Sequence, residues 1–292
     1  MFAVTLQLHD EDADRVDAWL ETSETQAMSF RDVENGTLCV QMFCDDGETA
    51  QSEAVRLERA LGASGCRSVG PATVVPLPDT DWQEAWKSYF HAARVSEHVV
   101  VGPPWEQAEV PAGCIAVTID PGMSFGTGLH ESTRGCLRML DRIAGERRGL
   151  TFCDVGCGSG ILSIVARKLG FGRTLALDED TDAVRTARRN GGDNGVDGIE
   201  FGVCDVRQAG PEAVFDVVVA NMLAELLLET AVNVARLVKP SPGSYLVLAG
   251  TLDEQWDEVL GVYRDLGFRQ VDRESLSGWT TGLLTRAAGD QS

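Results

Sequence analysis

Ten residues, Thr151-Phe-Cys-Asp-Val-Gly-Cys-Gly-Ser-Gly160, constrain this chain more than any others. A short apolar run ends in Asp154, passes through glycines at 156, 158 and 160, and enters an apolar, helix-like segment from Ile161 to Leu169. A second apolar run, Leu175-Ala-Leu-Asp178, ends in an acid 22 residues after Gly156. Strand, glycine turn, helix, strand, acid is the first half of a nucleoside-binding α/β sheet. Glycine lets the backbone turn tightly and approach a ligand with no Cβ in the way. The acid at the second strand's end is placed to accept hydrogen bonds from two ribose hydroxyls.

The spacing of the glycines separates cofactor classes. A dinucleotide fingerprint reads G-x-G-x-x-G and sets a pyrophosphate on the helix N-terminus. Here the pattern is G-x-G-x-G after Asp154, the form found in enzymes that bind S-adenosylmethionine, which has no phosphate. Asp154, Gly156, Gly158, Gly160 and Asp178 are therefore candidate cofactor-binding residues.

The chain around this motif is organised accordingly. Leu150–Val155, Arg173–Asp178, Ile199–Val203, Phe215–Asn221 and Tyr245–Gly250 are nearly continuous apolar runs separated by helical segments. They predict parallel strands joined by right-handed crossovers, with helices on both faces. One helix is expected over Met222–Leu237 and another over Asp253–Leu266. The last two runs, Arg269–Glu274 and Trp279–Thr285, have no helix between them, and an antiparallel closing hairpin is what distinguishes a methyltransferase sheet from an ordinary Rossmann sheet. The expected fold is α/β, a seven-stranded, Rossmann-like class I methyltransferase sheet over residues 95–292.

Residues 1–78 read as a separate unit. Val4–Leu8 alternates as a strand, and Asp12–Thr22 carries Val16, Trp19 and Leu20 at helical spacing. Ala27–Val33 and Thr37–Phe43 flank Glu34-Asn35-Gly36, a hairpin signal. A second helix is expected over Ser52–Leu61 and a last strand over Ser68–Leu77. The order β-α-β-β-α-β is that of a small α+β ferredoxin-like domain. Residues 79–94 form the connector, with an acid-capped helix from Asp79 to Phe90 whose aromatics at 82, 86, 89 and 90 share one face.

Charge narrows the partners. With a net charge of −20, of which fourteen acids against five bases lie before residue 79, general nucleic-acid binding is disfavoured, because it requires cationic neutralisation of phosphates. A small metabolite or a basic protein partner fits better. No apolar run approaches the roughly 20 residues needed to cross a bilayer, and the alternating start, Met1-Phe-Ala-Val-Thr-Leu, does not read as a signal peptide. The eight cysteines include no Cys-x-x-Cys pair, so reduced thiols in a cytoplasmic protein are expected, with no metal site.

Two further segments carry chemistry. Asp120-Pro-Gly-Met-Ser-Phe-Gly-Thr-Gly-Leu-His-Glu-Ser-Thr133 is too rich in glycine and hydroxyl residues for a mere connector. It reads as a wall over the cofactor, with Phe125 to pack on it and Thr127 or Thr133 to hydrogen-bond it, or else as a loop capping a helix over Leu129–Ile143. His130 within it reads as an orienting partner sooner than a general base. Asn221 ends a strand, where ligands of doubly wound sheets sit. Its amide oxygen can accept an N–H from an incoming amine, making Asn221 the candidate catalytic residue and a cofactor contact; the plainer alternative is an Asn that caps the next helix.

From about Asp81 to Thr285 the chain resembles the ribosomal protein L-eleven methyltransferases of bacteria. The resemblance rests on Asp81-Trp-Gln-Glu-Ala-Trp-Lys, the Asp120–His130 loop, Asp154-Val-Gly-Cys-Gly-Ser-Gly-Ile-Leu-Ser-Ile and Val219-Ala-Asn-Met-Leu-Ala. It implies a two-domain enzyme whose N-terminal domain captures a basic ribosomal protein. It also implies cofactor contacts at Thr133, Gly156, Asp178 and Asn221. Where the family usually has His-Pro-Thr-Thr and Asn-Ile-Leu-Ala-Gly-Pro, this chain has His130-Glu-Ser-Thr and Asn221-Met-Leu-Ala-Glu-Leu. Residues 1–78 match only in layout. The reaction implied is transfer of methyl groups from S-adenosylmethionine to amino groups, lysine side chains or the N-terminal amine, of ribosomal protein L-eleven. A same-fold methyltransferase of another basic protein or a small amine, and a non-catalytic cofactor-fold scaffold, are the alternatives.

Overall fold

A computed structural model describes residues 1–23, 27–32, 37–76, 91–106, 109–120, 130–208 and 214–286. The chain divides into two compact units, Met1–Tyr89 and Phe90–Ser292. The stretch that holds the expected Asp79–Phe90 helix lies outside the described residues, and the Glu34-Asn35-Gly36 turn does too.

In the first unit, strands β1 (Phe2–His9), β2 (Ala27–Asp32), β3 (Thr37–Cys44) and β4 (Thr73–Pro76) form an antiparallel sheet ordered β2-β3-β1-β4. Helices α1 (Ala13–Thr22) and α2 (Gly47–Ala63) complete the ferredoxin-like order. Val4, Leu6 and Leu8 of β1 meet Val16 of α1 and Leu57 and Leu61 of α2 in one core. Helix α2 starts a turn and a half before the apolar pattern shows it, because the Asp46 carboxylate accepts the N–H groups of Glu48 and Thr49. The last strand is shorter than expected. Ser68 makes only an isolated bridge to Leu8, and Pro71, with no N–H to donate, interrupts the ladder before Thr73.

The second unit opens with a small sheet, β5 (Ala93–Arg94), β6 (Val99–Gly102) and β7 (Ile115–Thr118). Ala93–Arg94 is thus strand at the end of the expected connector. Helix α3 (Glu131–Glu146) follows, and its buried Asp141 carboxylate holds this sheet in place. Asp141 accepts from Ser96 Oγ at 2.7 Å, from the His98 backbone N–H at 2.8 Å, and pairs with His98 Nδ1 at 3.0 Å.

The main sheet contains β8 (Phe152–Val155), β9 (Thr174–Asp178), β10 (Ile199–Val203), β11 (Val217–Asn221), β12 (Tyr245–Leu252), β13 (Phe268–Leu276) and β14 (Trp279–Arg286), ordered β10-β9-β8-β11-β12-β14-β13. The first five are parallel and β14 runs antiparallel between β12 and β13. Both faces are covered. Val217, Val219, Val247 and Leu283 join a core with α3 and α4 (Ile161–Lys168). Their neighbours Val218, Ala220, Leu246, Leu248 and Leu284 join a core on the other face with α6 (Ala224–Glu229), α7 (Ala231–Leu237) and α8 (Trp256–Asp265). That alternation is why these strands read as unbroken apolar runs. Helix α5 (Thr181–Asp193) follows β9. The single helix expected over Met222–Leu237 is two, broken at Thr230, which adopts φ −93° and ψ 0° and donates its hydroxyl to the Leu226 carbonyl at 2.7 Å. Among the described residues no helix is long and apolar enough to cross a membrane.

Candidate functional site

The order β8-β9 on one side and β8-β11 on the other makes the carboxyl end of β8 the place where the strand order reverses, and there the glycine turn sits. Gly156, Gly158 and Gly160 all have positive φ, 73°, 50° and 79°, a conformation that side chains other than glycine resist. Gly156 and Cys157 both donate backbone N–H groups to the Leu177 carbonyl at 2.9 Å, which ties the turn to β9. A Cβ on Gly160 would lie 2.8 Å from Cβ of Ala187, so the third glycine allows α4 and α5 to pack closely.

Asp178 ends β9 as a fixed acceptor. Its Oδ2 takes the Gly158 N–H at 2.9 Å and its Oδ1 takes the Asp180 N–H at 3.0 Å. Each oxygen keeps one lone-pair direction, a pair of acceptors suited to a vicinal diol. A cavity of about 200 Å³ opens beside it, lined by Gly156, Asp178, Glu179, Asp205, Arg207 and Met222 among others. The site of Met222 follows Asn221 directly, and a Cβ on Gly156 would approach Met222 Cγ to 3.2 Å. One cavity therefore joins the ends of β8, β9 and β11.

Asn221 and Thr133 form the other half of the site. The Asn221 amide donates to Thr133 Oγ1 at 3.3 Å, linking the end of β11 to the first turn of α3. Its amide oxygen is buried and has no hydrogen-bond partner among the described residues. His130 caps α3: its Nδ1 accepts the Ser132 N–H at 3.3 Å, and its ring meets Trp279 edge-on with centroids 4.7 Å apart. Phe125 and Thr127 lie outside the described residues.

Asp154 lies beneath the turn, fully buried. Burial pushes its carboxyl up to about 7, the Ser163 hydrogen bonds pull the other way, and the charge of Asp178 adds to the rise. Ser163 Oγ donates to Oδ2 at 2.9 Å, and Oδ1 has no partner among the described residues. All eight cysteines are unbridged, and burial raises the thiols of Cys136, Cys153 and Cys157, which makes them poor nucleophiles.

The sequence reading missed Asp205, Glu179 and Arg207. Arg207 ion-pairs with Glu179 and, at 2.9 Å, with Asp205, closing one wall of the cavity. Its hydrogen bond holds the Asp205 carboxyl below the usual range. Asp205 carried a usable signal, since it follows β10 as Asp178 ends β9. Trp279 carried none, because only the hairpin brings it to His130.

A sheet of this order, with a glycine turn at its switch point and an acid ending the neighbouring strand, defines a class I S-adenosylmethionine-dependent methyltransferase. Comparison with known proteins narrows the class. The family model described as Ribosomal protein L11 methyltransferase matches residues 2–286. A ribosomal protein L11 methyltransferase of Myxococcus xanthus (strain DK1622) is 33% identical over 295 residues, covering 97% of this chain and 98% of the relative. One of Ralstonia nicotianae is 36% identical over 265 residues, covering 90% and 84%. The crystal structure of a ribosomal protein L11 methylase from Lactobacillus delbrueckii subsp. bulgaricus is 27% identical with a TM-score of 0.62, covering 68% of this chain and all of that one. The chain belongs to the ribosomal protein L11 methyltransferase family.

The residues present fit the family's cofactor. Asp178, with its two acceptor oxygens, lines the cavity together with Met222, the chain neighbour of Asn221, whose buried amide oxygen has no hydrogen-bond partner among the described residues.

Proposed function

We propose that this protein methylates amino groups of ribosomal protein L11, on lysine side chains and the N-terminal amine, with Asn221 at the centre of the reaction. The observation that carries the reading is the Asn221 amide: anchored on Thr133 through its nitrogen, it leaves its oxygen buried at a strand's carboxyl end with no partner among the described residues. Bound S-adenosylmethionine supplies a sulfonium methyl group to the acceptor nitrogen. Asp178 accepts hydrogen bonds from the ribose, held in position by the Gly158 and Asp180 N–H groups. Gly156, Gly158 and Gly160 bring the backbone against the cofactor, Thr133 orients Asn221, and Asp154 supports the turn from below. Asp205 and Arg207 wall the nucleoside end. His130 caps the helix that carries Thr133, and cofactor contact by Phe125, Thr127 and His130 is assigned from the glycine-rich sequence Asp120–Thr133.

The Asn221 oxygen accepts an N–H of the incoming amine and so turns the nitrogen lone pair toward the methyl group. A lysine amine with a reference pKa near 10.4 is neutral about one part in a thousand near pH 7.4, a cost of about 4 kcal/mol. Desolvation lowers that pKa as the amine enters; water then takes the proton, and no dedicated base is required. Alignment supplies most of the acceleration. Residues 1–78 serve as the recognition domain, 79–94 as the connector and 95–292 as the catalytic domain, working in the cytoplasm on a basic protein drawn by the chain's negative charge.

Intact-mass spectrometry of purified L11, incubated with this protein and S-adenosylmethionine, tests the reading. Increments of about 14 Da per methyl are expected. Unmodified L11, with cofactor binding established by calorimetry, would redirect the activity to another basic protein or a small amine.

A further inference from the structure

Arg134, Arg138 and Arg142 stand four residues apart on α3, on one stripe of the helix with steps of about 6 Å. Strand β13 runs beside the stripe and presents a side chain to it every second residue, steps of about 6.8 Å. The two repeats nearly match. Arg142 is ion-paired with Asp272 and Arg138 with Glu274. The next rung would join Arg134 to position 276, where the strand carries Leu276. Arg134 thus has no acid opposite it, and its side chain makes no hydrogen bond or ion pair among the described residues, although its Nε is shielded from solvent. Arg189 and Arg269 also have no partner among the described residues but are exposed, whereas the Nε of Arg134 is a shielded donor, and a shielded donor without a partner is costly.

The ladder ends at the carboxyl end of the sheet. Thr133, the preceding residue, receives the Asn221 amide. The Arg134 backbone N–H donates to the His130 carbonyl at 2.9 Å, and Trp279, which packs on His130, is the register partner of Leu276. In the sheet order, β14 and β13 lie on the other side of β11 from β9, the strand that Asp178 ends.

We propose that Arg134 is a carboxylate-binding residue of the methyl-transfer site, its planar fork left unpaired to receive an anionic group of a ligand. The inference rests on the proposed role of the Asn221 site. The carboxylate has two possible sources: the amino-acid end of the cofactor, or the acceptor protein.

Calorimetry with S-adenosylhomocysteine and with 5′-methylthioadenosine, which lacks the amino-acid carboxylate, is combined with KM and kcat for L11. The measurements are made on wild type, Arg134→Gln and Arg134→Lys. If the cofactor supplies the carboxylate, Arg134→Gln weakens S-adenosylhomocysteine about tenfold or more and leaves 5′-methylthioadenosine unchanged. If the acceptor supplies it, KM for L11 rises about tenfold at constant kcat and constant nucleoside affinity. Arg134→Lys, which keeps the charge and the fold, recovers part of the loss in either case. Equal weakening of both nucleosides, or no change in any quantity, would overturn the inference. Wild type that neither binds S-adenosylhomocysteine nor methylates L11 would instead overturn the reading of the site, and this inference with it.

Discussion

The side-chain amide of Asn221 donates to the hydroxyl of Thr133 at 3.3 Å across 88 positions of chain, and by doing so fixes which way its oxygen points. An amide held by one end presents the other end in a defined direction. That direction is the property on which the proposed alignment of the acceptor amine depends.

Asn221→Ala should therefore lower kcat by about a hundredfold or more, as expected when a reacting group loses its orientation, while S-adenosylhomocysteine affinity falls much less. Thr133→Val, which keeps the shape and removes the hydroxyl, should give a smaller loss of kcat in the same direction. Steady-state kinetics with L11 and calorimetry separate the two quantities. Turnover equal to wild type in Asn221→Ala would remove the residue from the mechanism.

Asp178→Ala should raise the dissociation constant for S-adenosylhomocysteine by about ten- to a hundredfold, the range for hydrogen bonds to a charged group. It also frees the Gly158 and Asp180 N–H groups, so the glycine turn should exchange its amide hydrogens faster. Unchanged affinity by calorimetry would show that the ribose lies elsewhere.

The buried carboxyl of Asp154 predicts a pH dependence of stability. Its folded pKa of about 7 lies above the ordinary 3.8, so the folded chain binds this proton more tightly than the unfolded one. Its contribution to stability falls as pH rises from about 4 to about 7 and is constant above that window. The full cost is on the order of 4 kcal/mol. Asp154→Asn abolishes the titration, so its stability relative to wild type should improve between pH 5 and pH 8. Urea unfolding of both proteins at the two pH values checks this; the same difference at both would refute the burial argument.

Two glycines should respond in opposite directions. A Cβ on Gly282 would stand 2.0 Å from Trp256, whose ring is fully buried, so Gly282→Ala should destabilise by about 1–3 kcal/mol or more. A Cβ on Gly145, in the last turn of α3, meets nothing within 4 Å, and Gly145→Ala should stabilise by about 0.4–1 kcal/mol. Thermal melting of the two variants should move to either side of wild type; a shift of the same sign in both would contradict the packing described.

What the sequence determined by itself was everything that short-range physics controls. The Asp154–Gly160 turn was legible because three positive-φ positions need glycine wherever the rest of the chain goes. The parallel strands were legible because burial on two faces demands unbroken apolar runs, and the closing hairpin because no helical period separates its strands. Local patterns misjudged what local chemistry hides. Nothing in the apolar period announces that Thr230 will turn its hydroxyl back onto Leu226 and break a helix. Only tertiary structure decided which distant groups meet. The sheet order brings Asp205 and Arg207 beside Asp178, α3 lays Thr133 against Asn221, and the β13–β14 hairpin sets Trp279 on His130. That Arg134 has no partner among the described residues belongs here too, since it depends on the register of a helix against a strand more than 130 residues away. Such registers are set by the packing of the whole sheet, and no window of sequence contains them.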